Sequence, residues 1–479
     1  MRTHLLFAAV LMFGAAASPA DAQDETVYTG VTILDPLTER RLPDRYIVVR
    51  GDRIEAIGQG RVPRRYARAA RLDTTGRFAM PGLFDTHAHI TLGPVAPLVE
   101  NGEVSLVVAG DEIITRHDAL MLLAAGVTTI RDPGGDTARM IAYRNAVAEG
   151  RLTGPEARVA GAVIDRSAFP VTGLVDRVDD THGVVDHVDA QARAGVDYVK
   201  LYEALTPEDL AAGIAAADAA GVGVIAHLGD VSWSEAVQMG VDSLVHAMPI
   251  SPDLLPPDKR AAYLAERRPG AYAFFEWYEQ ADLDGPEVQT MIRMIADRRI
   301  PVDATLIAFH LAFHGDDASY PDRDLAWAYP SMVENWRTVF RFDLGWEADD
   351  YARARAVWPK VQRFVRMLHE AGALLTIGTD MNNPFVAPGI SVAREAELHV
   401  EAGIPAWDVL RMATANAARS LEMDNRTGRL EVGMEADILF LDADPSVDIR
   451  ALSGVVGVVE NGRFHRPEDL KREARRGLP

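Results

Sequence analysis

Apolar and polar residues along this chain change rhythm twice. From 26 to 79 they form short strand-like runs broken by turns: Val27-Tyr28-Thr29, Val31-Thr32-Ile33-Leu34, Tyr46-Ile47-Val48-Val49 and Arg53-Ile54-Glu55-Ala56-Ile57. Gly51-Asp52 between the last two predicts a tight hairpin. The same texture returns at 436–441 and 455–459, closed by the turn Glu460-Asn461-Gly462-Arg463. Neither end has enough strands to bury a face alone. The two are therefore predicted to share one small β-sandwich, built from 23–79 plus 425–479.

Between them, strand alternates with helix. Val127-Thr128-Thr129-Ile130 and Val196-Asp197-Tyr198-Val199-Lys200-Leu201-Tyr202 are strand-like. Thr206-Pro207-Glu208-Asp209 opens a helix with a cap, a proline at the first position and early acids, and Gly221 closes it. Residues 223–228 and 241–247 are further strands, separated by a short capped helix from Ser232 to Gly240. Such βα units predict an α/β protein with a parallel sheet. Polar residues end several different strands, so a closed (β/α)8 TIM barrel over 80–424 is expected, its site at the C-terminal mouth. No Gly-rich phosphate turn opens these helices, which disfavours an open doubly wound sheet.

The rhythm fails around 250–372. Residues 300–306 and 373–380 are strand-like, while the remainder is helical and aromatic and holds Trp277, Trp327, Trp336, Trp346 and Trp358. An added helical layer with its own core is the favoured expectation. A lid or pocket wall is the sharper alternative, because insertions after barrel strands fall on the catalytic face.

The densest chemistry lies in Phe84-Asp85-Thr86-His87-Ala88-His89-Ile90, behind the apolar Met80-Pro81-Gly82-Leu83. Residues two apart on a strand share a face, so His87 and His89 present two imidazoles together, half of a metal site. Such a pair alone is explained equally well by one core ring and one exposed ring. Lys200, His227, His246 and Asp380, however, each end a strand-like run of their own. Singly, His227 and His246 favour satisfied core histidines; as a set, these residues point to a metallohydrolase. A protonated Lys200 among four His would repel cations. It is either an ion-pair partner of Asp380 or, after reaction with carbon dioxide, a carbamate able to bridge two metals. Tyr202, two residues on, faces the same side and serves either substrate or packing. Arg166 could meet a substrate carboxylate, although an exposed surface arginine is favoured. His310 and His314, one helical turn apart, are a solvated pair before they are a second site.

Composition narrows the class. With 48% hydrophobic and 25% charged residues the chain is that of an ordinary globular protein. A net charge of −21 disfavours nucleic acid and anionic membrane surfaces as partners. With 0 Cys there are no disulfides, thiolate ligands or cysteine nucleophile, leaving N and O donors that suit Zn, Mn, Co, Ni or Fe. Arg2, an apolar run at 5–17 and Ala20-Asp21-Ala22 before Gln23 predict a signal peptide over 1–22. The run falls short of the roughly 20 residues that span a bilayer. An exported protein, periplasmic or secreted and without membrane insertion, is expected.

These pieces together resemble the amidohydrolase superfamily, along essentially the whole mature length. The likeness is to the branch of prolidase-like carboxypeptidases and ochratoxin-type amidases, related to imidazolonepropionase. It is carried by Pro81-Gly82-Leu83-Phe84-Asp85-Thr86-His87-Ala88-His89, Gly126-Val127-Thr128-Thr129-Ile130-Arg131-Asp132, Asp197-Tyr198-Val199-Lys200-Leu201-Tyr202, His227, His246, Gly378-Thr379-Asp380 and Gly433-Met434-Glu435-Ala436-Asp437-Ile438. The resemblance implies two divalent ions, zinc being favoured. His87, His89 and Asp380 would hold one ion and His227 and His246 the other, with carboxylated Lys200 as the bridging ligand. It implies cleavage of an amide C–N bond, such as that of an N-acyl amino acid or dipeptide, by a metal-bridging hydroxide, with Asp380 as the proton shuttle. One departure stands out: where this branch carries Thr-Gly-Gly-His after the third strand, the chain has Val163-Ile164-Asp165-Arg166-Ser167-Ala168-Phe169. The same centre could act on an ester, lactone or cyclic amide. A periplasmic metal- or ligand-binding protein without turnover is the remote alternative, disfavoured by the complete ligand set. The expected partner is a small amide or peptide-like molecule, with homo-oligomerisation left open.

Overall fold

The computed structural model describes residues 25–100, 103–167, 171–317, 324–476 and 478. The expected signal peptide lies outside the described residues. Both chain ends meet in one eight-stranded sheet. Glu25–Asp35 pairs antiparallel with Arg40–Arg50, which turns back through Gly51-Asp52 into Arg53–Gln59 with Arg50 opposite Arg53. The first two predicted runs are thus one strand, bulged at Gly30, whose φ of 75° a side chain would resist. The C-terminal strands enter where Ile438–Leu441 pairs antiparallel with Phe78–Pro81, and Val455–Glu460 and Arg463–His465 follow. Alternation puts apolar clusters on both faces: Tyr28, Ile47 and Val49 belong to one, Val27, Tyr46 and Val48 to the other.

The middle of the chain is a succession of parallel strands. Leu83–Asp85, Val127–Asp132 and Glu156–Val159 form a three-stranded sheet. Val163–Asp165, Tyr198–Leu201, Gly223–Ala226, Ser243–Val245, Pro301–Asp303 and Leu374–Thr376 follow in spatial order as in sequence. The two sets are linked at both ends. Asp197 N–H donates to Val159 O at 2.8 Å on one side, and Thr86 N–H to Ile377 O at 2.9 Å on the other. Helices between the strands carry the predicted signals. Pro207–Ala220 begins with a Thr206/Asp209 capping box and ends at Gly221, and Trp233–Met239 begins with a Ser232/Glu235 box and ends at Gly240.

Three segments depart from expectation. The predicted strand 300–306 stops at Asp303, because Thr305 turns left-handed at φ 45° and Leu306 starts a helix. That helix start is sealed by buried Glu395, which accepts Leu306 N–H at 2.9 Å and Ile307 N–H at 2.6 Å. Second, Val95–Glu100 and Glu103–Val108 form an antiparallel hairpin that also pairs with Val171–Thr172, a side sheet that sequence reading missed. Third, the helix Pro286–Arg298, leading into the expected strand at Pro301–Asp303, divides the insertion in two. Its aromatic core is real, with Trp277, Trp336 and Trp346 buried. Among the described residues no helix is long and apolar enough to cross a membrane.

The two ends of the chain touch turn against turn. Ala436 N–H donates to Asp52 O at 2.7 Å, and a Cβ on Gly462, at φ 77°, would lie 1.8 Å from Gly51 O. Gly462→Ala is therefore expected to cost about 2 kcal/mol or more, since strain and a backbone clash add. Gly221→Ala, at φ 71° with nothing within 4 Å, should cost roughly 1 kcal/mol. Equal shifts of both variants in chemical denaturation would contradict the turn-on-turn contact.

Candidate metal centre

Strand ends bring the predicted residues together. His87 and His89 lie just past Leu83–Asp85, where the chain bends at Thr86-His87 but is still held by its neighbours: Ala88 bridges in parallel to Met381, and its N–H donates to Arg131 O at 2.9 Å. The two imidazoles still reach the same side, as both approach Asp380. His246 and Asp380 follow their strands in left-handed backbone, φ 67° and 65°, which costs a non-glycine residue on the order of 1 kcal/mol. Neighbouring strands hold both in place, with His246 N–H on Asp303 O at 2.7 Å and Asp380 N–H on His87 O at 2.8 Å.

Hydrogen-bond partners decide where the imidazole lone pairs point. His87 Nδ1 meets the Asp303 carboxylate at 2.8 Å, and His89 Nδ1 meets Gly134 O at 2.6 Å. Both partners only accept, so each Nδ1 carries hydrogen and each Nε2 presents a lone pair. Those two Nε2 atoms stand 3.3 and 3.2 Å from the same oxygen, Asp380 Oδ1. Such an approach to one carboxylate oxygen requires either a proton on both Nε2 atoms, which then donate, or a cation among the lone pairs. A tetrahedral cation with bonds of about 2.0–2.1 Å sets its ligand atoms roughly 3.3–3.4 Å apart. The observed spacing matches such a ligand set, so the residues fit a divalent ion.

The other predicted residues close around this corner. Lys200 Nζ lies 3.4 Å from His87 Nε2. The His246 ring is 4.8 Å from His87 and 4.4 Å from His227, centroid to centroid. His246 Nδ1 bonds Thr305 Oγ1 at 2.8 Å, while His227 Nδ1 is buried without a hydrogen-bond partner. Burial, aided by Lys200 for His227 and by the His227 ring for His246, holds both imidazoles well below their ordinary range, so they stand as neutral donors. Burial pushes the Lys200 amine down to about 8 against the pull of Asp380 and Asp303. Burial also pushes Asp380 up, but positive charge at His87 and N–H donation from His87 and His89, the place a cation would take, outweigh it and hold the carboxyl well below the usual range.

Several supporting residues were not singled out from sequence. Asp303 is fully buried and joins His87 to the buried Arg131, whose Nη2 reaches Asp303 Oδ2 at 2.6 Å. Arg131 also donates to Thr86 O at 2.8 Å and Ser243 Oγ at 3.0 Å, tying strands together beneath the cluster. Asp85 accepts from Thr379 N–H at 3.0 Å, Thr379 Oγ1 at 2.6 Å and His87 N–H at 3.1 Å. A lone carboxylate ending an apolar run, as Asp303 does, was the available signal.

The substrate-side predictions fare differently. Tyr202 lines a cavity of ≈ 480 Å³ together with Lys200, His227, His246 and Asp380, its ring 4.4 Å from His227. Arg166 is engaged elsewhere: its guanidinium makes two 2.7 Å bonds to Asp209, a buried carboxylate that also receives Thr206 and Thr181 hydroxyls at 2.7 Å. It serves the helix cap rather than a substrate carboxylate. His310 and His314 stack on each other at 4.3 Å, and His310 packs on Trp358, so neither stands as a simple solvated ring. The insertion does more than form a layer, since Phe274, Phe340, Phe342 and Trp346 line the cavity.

Known proteins bear on this geometry. Residues 330–464 match the model of the amidohydrolase family. An imidazolonepropionase from Rubrobacter xylanophilus is 39% identical over 83 residues, 16% of this chain and 19% of that protein, so the chain spans about a fifth of this relative. A putative prolidase from Bifidobacterium longum has a similar structure at a TM-score of 0.67 and 23% identity, covering 94% of this chain and 99% of that one. An ochratoxinase from A. niger does so at 0.65 and 18%, covering 96% and 100%. Segment 330–464 is thus similar to the amidohydrolase family, and the chain as a whole carries the fold of the prolidase and the ochratoxinase it resembles.

Proposed function

We propose that this protein is an exported metal-dependent hydrolase that cleaves an amide C–N bond at a binuclear divalent centre, zinc being the favoured metal. In this reading the parallel strands close a (β/α)8 barrel over 80–424, and 23–79 with 425–479 form the β-sandwich beside it. The observation that carries the proposal is the convergence of two oriented imidazole lone pairs and Asp380 Oδ1 on one point, with Lys200, His227 and His246 alongside. His87, His89 and Asp380 would hold one ion, His227 and His246 the other, and carboxylated Lys200 both. When bound, the ions supply a water of lowered pKa and a Lewis acid for the scissile carbonyl.

The chain's own residues do the rest. Asp303 and Gly134 O keep the rings in the donor tautomer. Asn383 Nδ2, 2.7 Å from Asp380 Oδ1, orients that carboxyl. With Oδ1 so engaged, Oδ2 is left to take a proton from water and deliver it to the leaving amine. Tyr202, beside His227, is placed to contact the polarised carbonyl. Aromatic rings on the cavity wall lower the local dielectric and so strengthen each of these interactions.

The reading carries expected results for Lys200 and for Asp303. Elemental analysis of the wild-type protein finds about two divalent metals per chain, and Lys200→Ala loses at least one of them with nearly all amide hydrolysis. Short carboxylic acids partly restore activity to the variant. If Lys200 were only an ion-pair partner, the substitution would lower stability by a few kcal/mol, on the order of breaking a buried pair, and leave the metals in place. Asp303→Asn keeps the shape but not the acceptor charge, and should weaken metal affinity by about 10–100-fold. Competition with a chelator measures it, and unchanged affinity would remove Asp303 from the account.

A further inference from the structure

The cavity above the candidate centre has two unlike sides. On one, rings run outward from the cluster. His246 meets Phe309 edge-on with centroids 6.0 Å apart, Phe309 meets Phe274 at 5.0 Å, and Phe274 meets Phe342 at 5.7 Å. Phe342 leads on to Phe340 at 6.0 Å. Edge-to-face packing holds such rings in fixed orientations, so they offer apolar surface at little further entropic cost on binding. The wall begins on a candidate metal ligand. A group packed on its inner end, at Phe309, therefore sits beside the candidate centre.

The other side carries carboxylates. Asp165 and Glu203 both line the cavity. Asp165 is buried and accepts Ala204 N–H at 2.8 Å, which fixes the turn after the Lys200 strand and sets Glu203 in place. Glu203 is exposed to the cavity, and no hydrogen bond or ion pair from another described residue engages its carboxylate.

Among the described residues, the cations around this cavity that could answer a substrate carboxylate are already committed. Arg341, on the cavity wall, gives both Nε and Nη2 to Asp343, which also receives the Tyr351 hydroxyl. Arg267, the cation that acts on Glu203, is paired with Asp230. Arg166 is paired with Asp209, and Lys200 lies inside the ligand cluster. A carboxylate placed here would lose its hydration, meet Glu203 and Asp165, and find its partners occupied.

We propose that this cavity selects amides with an aromatic or bulky apolar group beside the scissile bond and an uncharged or cationic remainder, and disfavours those ending in a free carboxylate. The inference rests on the hydrolase reading above and narrows it. Among peptide-like molecules it favours amide-blocked or amine-bearing ones over N-acyl amino acids.

The test uses the metal-loaded wild-type protein and three probes: N-acetyl-phenylalanyl-phenylalanine, its C-terminal carboxamide, and phenylalanyl-phenylalaninamide with a free amine. Binding is followed by tryptophan fluorescence, since Trp346 lines the cavity, and turnover by amine release. The carboxamide should bind at least about 10-fold more tightly than the free acid, as expected of like charges across a cleft of reduced dielectric. The free-amine probe should bind more tightly still, and Glu203→Gln should erase that last advantage. Equal or tighter binding of the free acid overturns the proposal. So does failure of all three probes to bind, or an Arg341→Met variant that loses affinity for the acid alone, because Arg341 would then leave Asp343 for the substrate. An amine advantage that survives Glu203→Gln removes Glu203 from the selection and overturns the cationic arm. Ordered binding without any hydrolysis would instead count against the hydrolase reading and leave the selectivity standing.

Discussion

One buried carboxylate orders the site. Asp303 has no access to solvent, accepts from His87 Nδ1 on one oxygen and from Arg131 Nη2 on the other, and so joins three strands through two charge-assisted bonds. Arg131 is itself 1% exposed, and a guanidinium in that position is tolerable only because Asp303, Thr86 O and Ser243 Oγ use its donors. The consequence for chemistry is directional. With its Nδ1 hydrogen committed to Asp303, a neutral His87 turns its lone pair toward Asp380 and His89. The strained backbone at His246 and Asp380 has the same character, as strand neighbours hold both residues where their side chains converge.

Much of this was legible because it rests on short-range rules. Period-two alternation paired His87 with His89, and the Ala88–Met381 bridge holds the chain between them past the end of the strand. Capping boxes at Thr206 and Ser232 and glycines at 221 and 240 marked helix ends that the structure places where expected. Polar residues ending apolar runs marked Lys200, His227, His246 and Asp380. The remainder was hidden because it depends on contacts far apart in sequence. Asp303 lay within the strand read at 300–306, and nothing near it announces a pairing with Arg131, 172 positions earlier. Arg166 looked like a spare cation because Asp209, read as part of a helix start, is also its partner. The hairpin ending at Val108 pairs outside the main succession of strands, where the alternation with helices no longer guides the eye.

The insertion shows how a packing device becomes a selective one. Its buried tryptophans supply a core for helices that the strands alone could not cover. Phe274, Phe340 and Phe342, at the edge of that core, face the cavity. Stability and substrate choice therefore draw on the same aromatic cluster, in which Trp346 packs on Phe275 at 5.0 Å and also lines the cavity. The terminal sheet plays a quieter part. Its strand Phe78–Pro81 runs directly into Leu83–Asp85, so the two chain ends brace the strand that presents His87 and His89.

The central claim is that these side chains are arranged for divalent cations. A crystal structure of the zinc-loaded protein, with anomalous differences recorded at the zinc edge, tests it most directly. The account predicts one peak about 2.0–2.2 Å from His87 Nε2, His89 Nε2 and an Asp380 oxygen, and a second beside His227 and His246. Density continuous from Lys200 Nζ should reach both. Anomalous peaks elsewhere, or an occupied pair with an unmodified Lys200 turned away from it, would contradict the account.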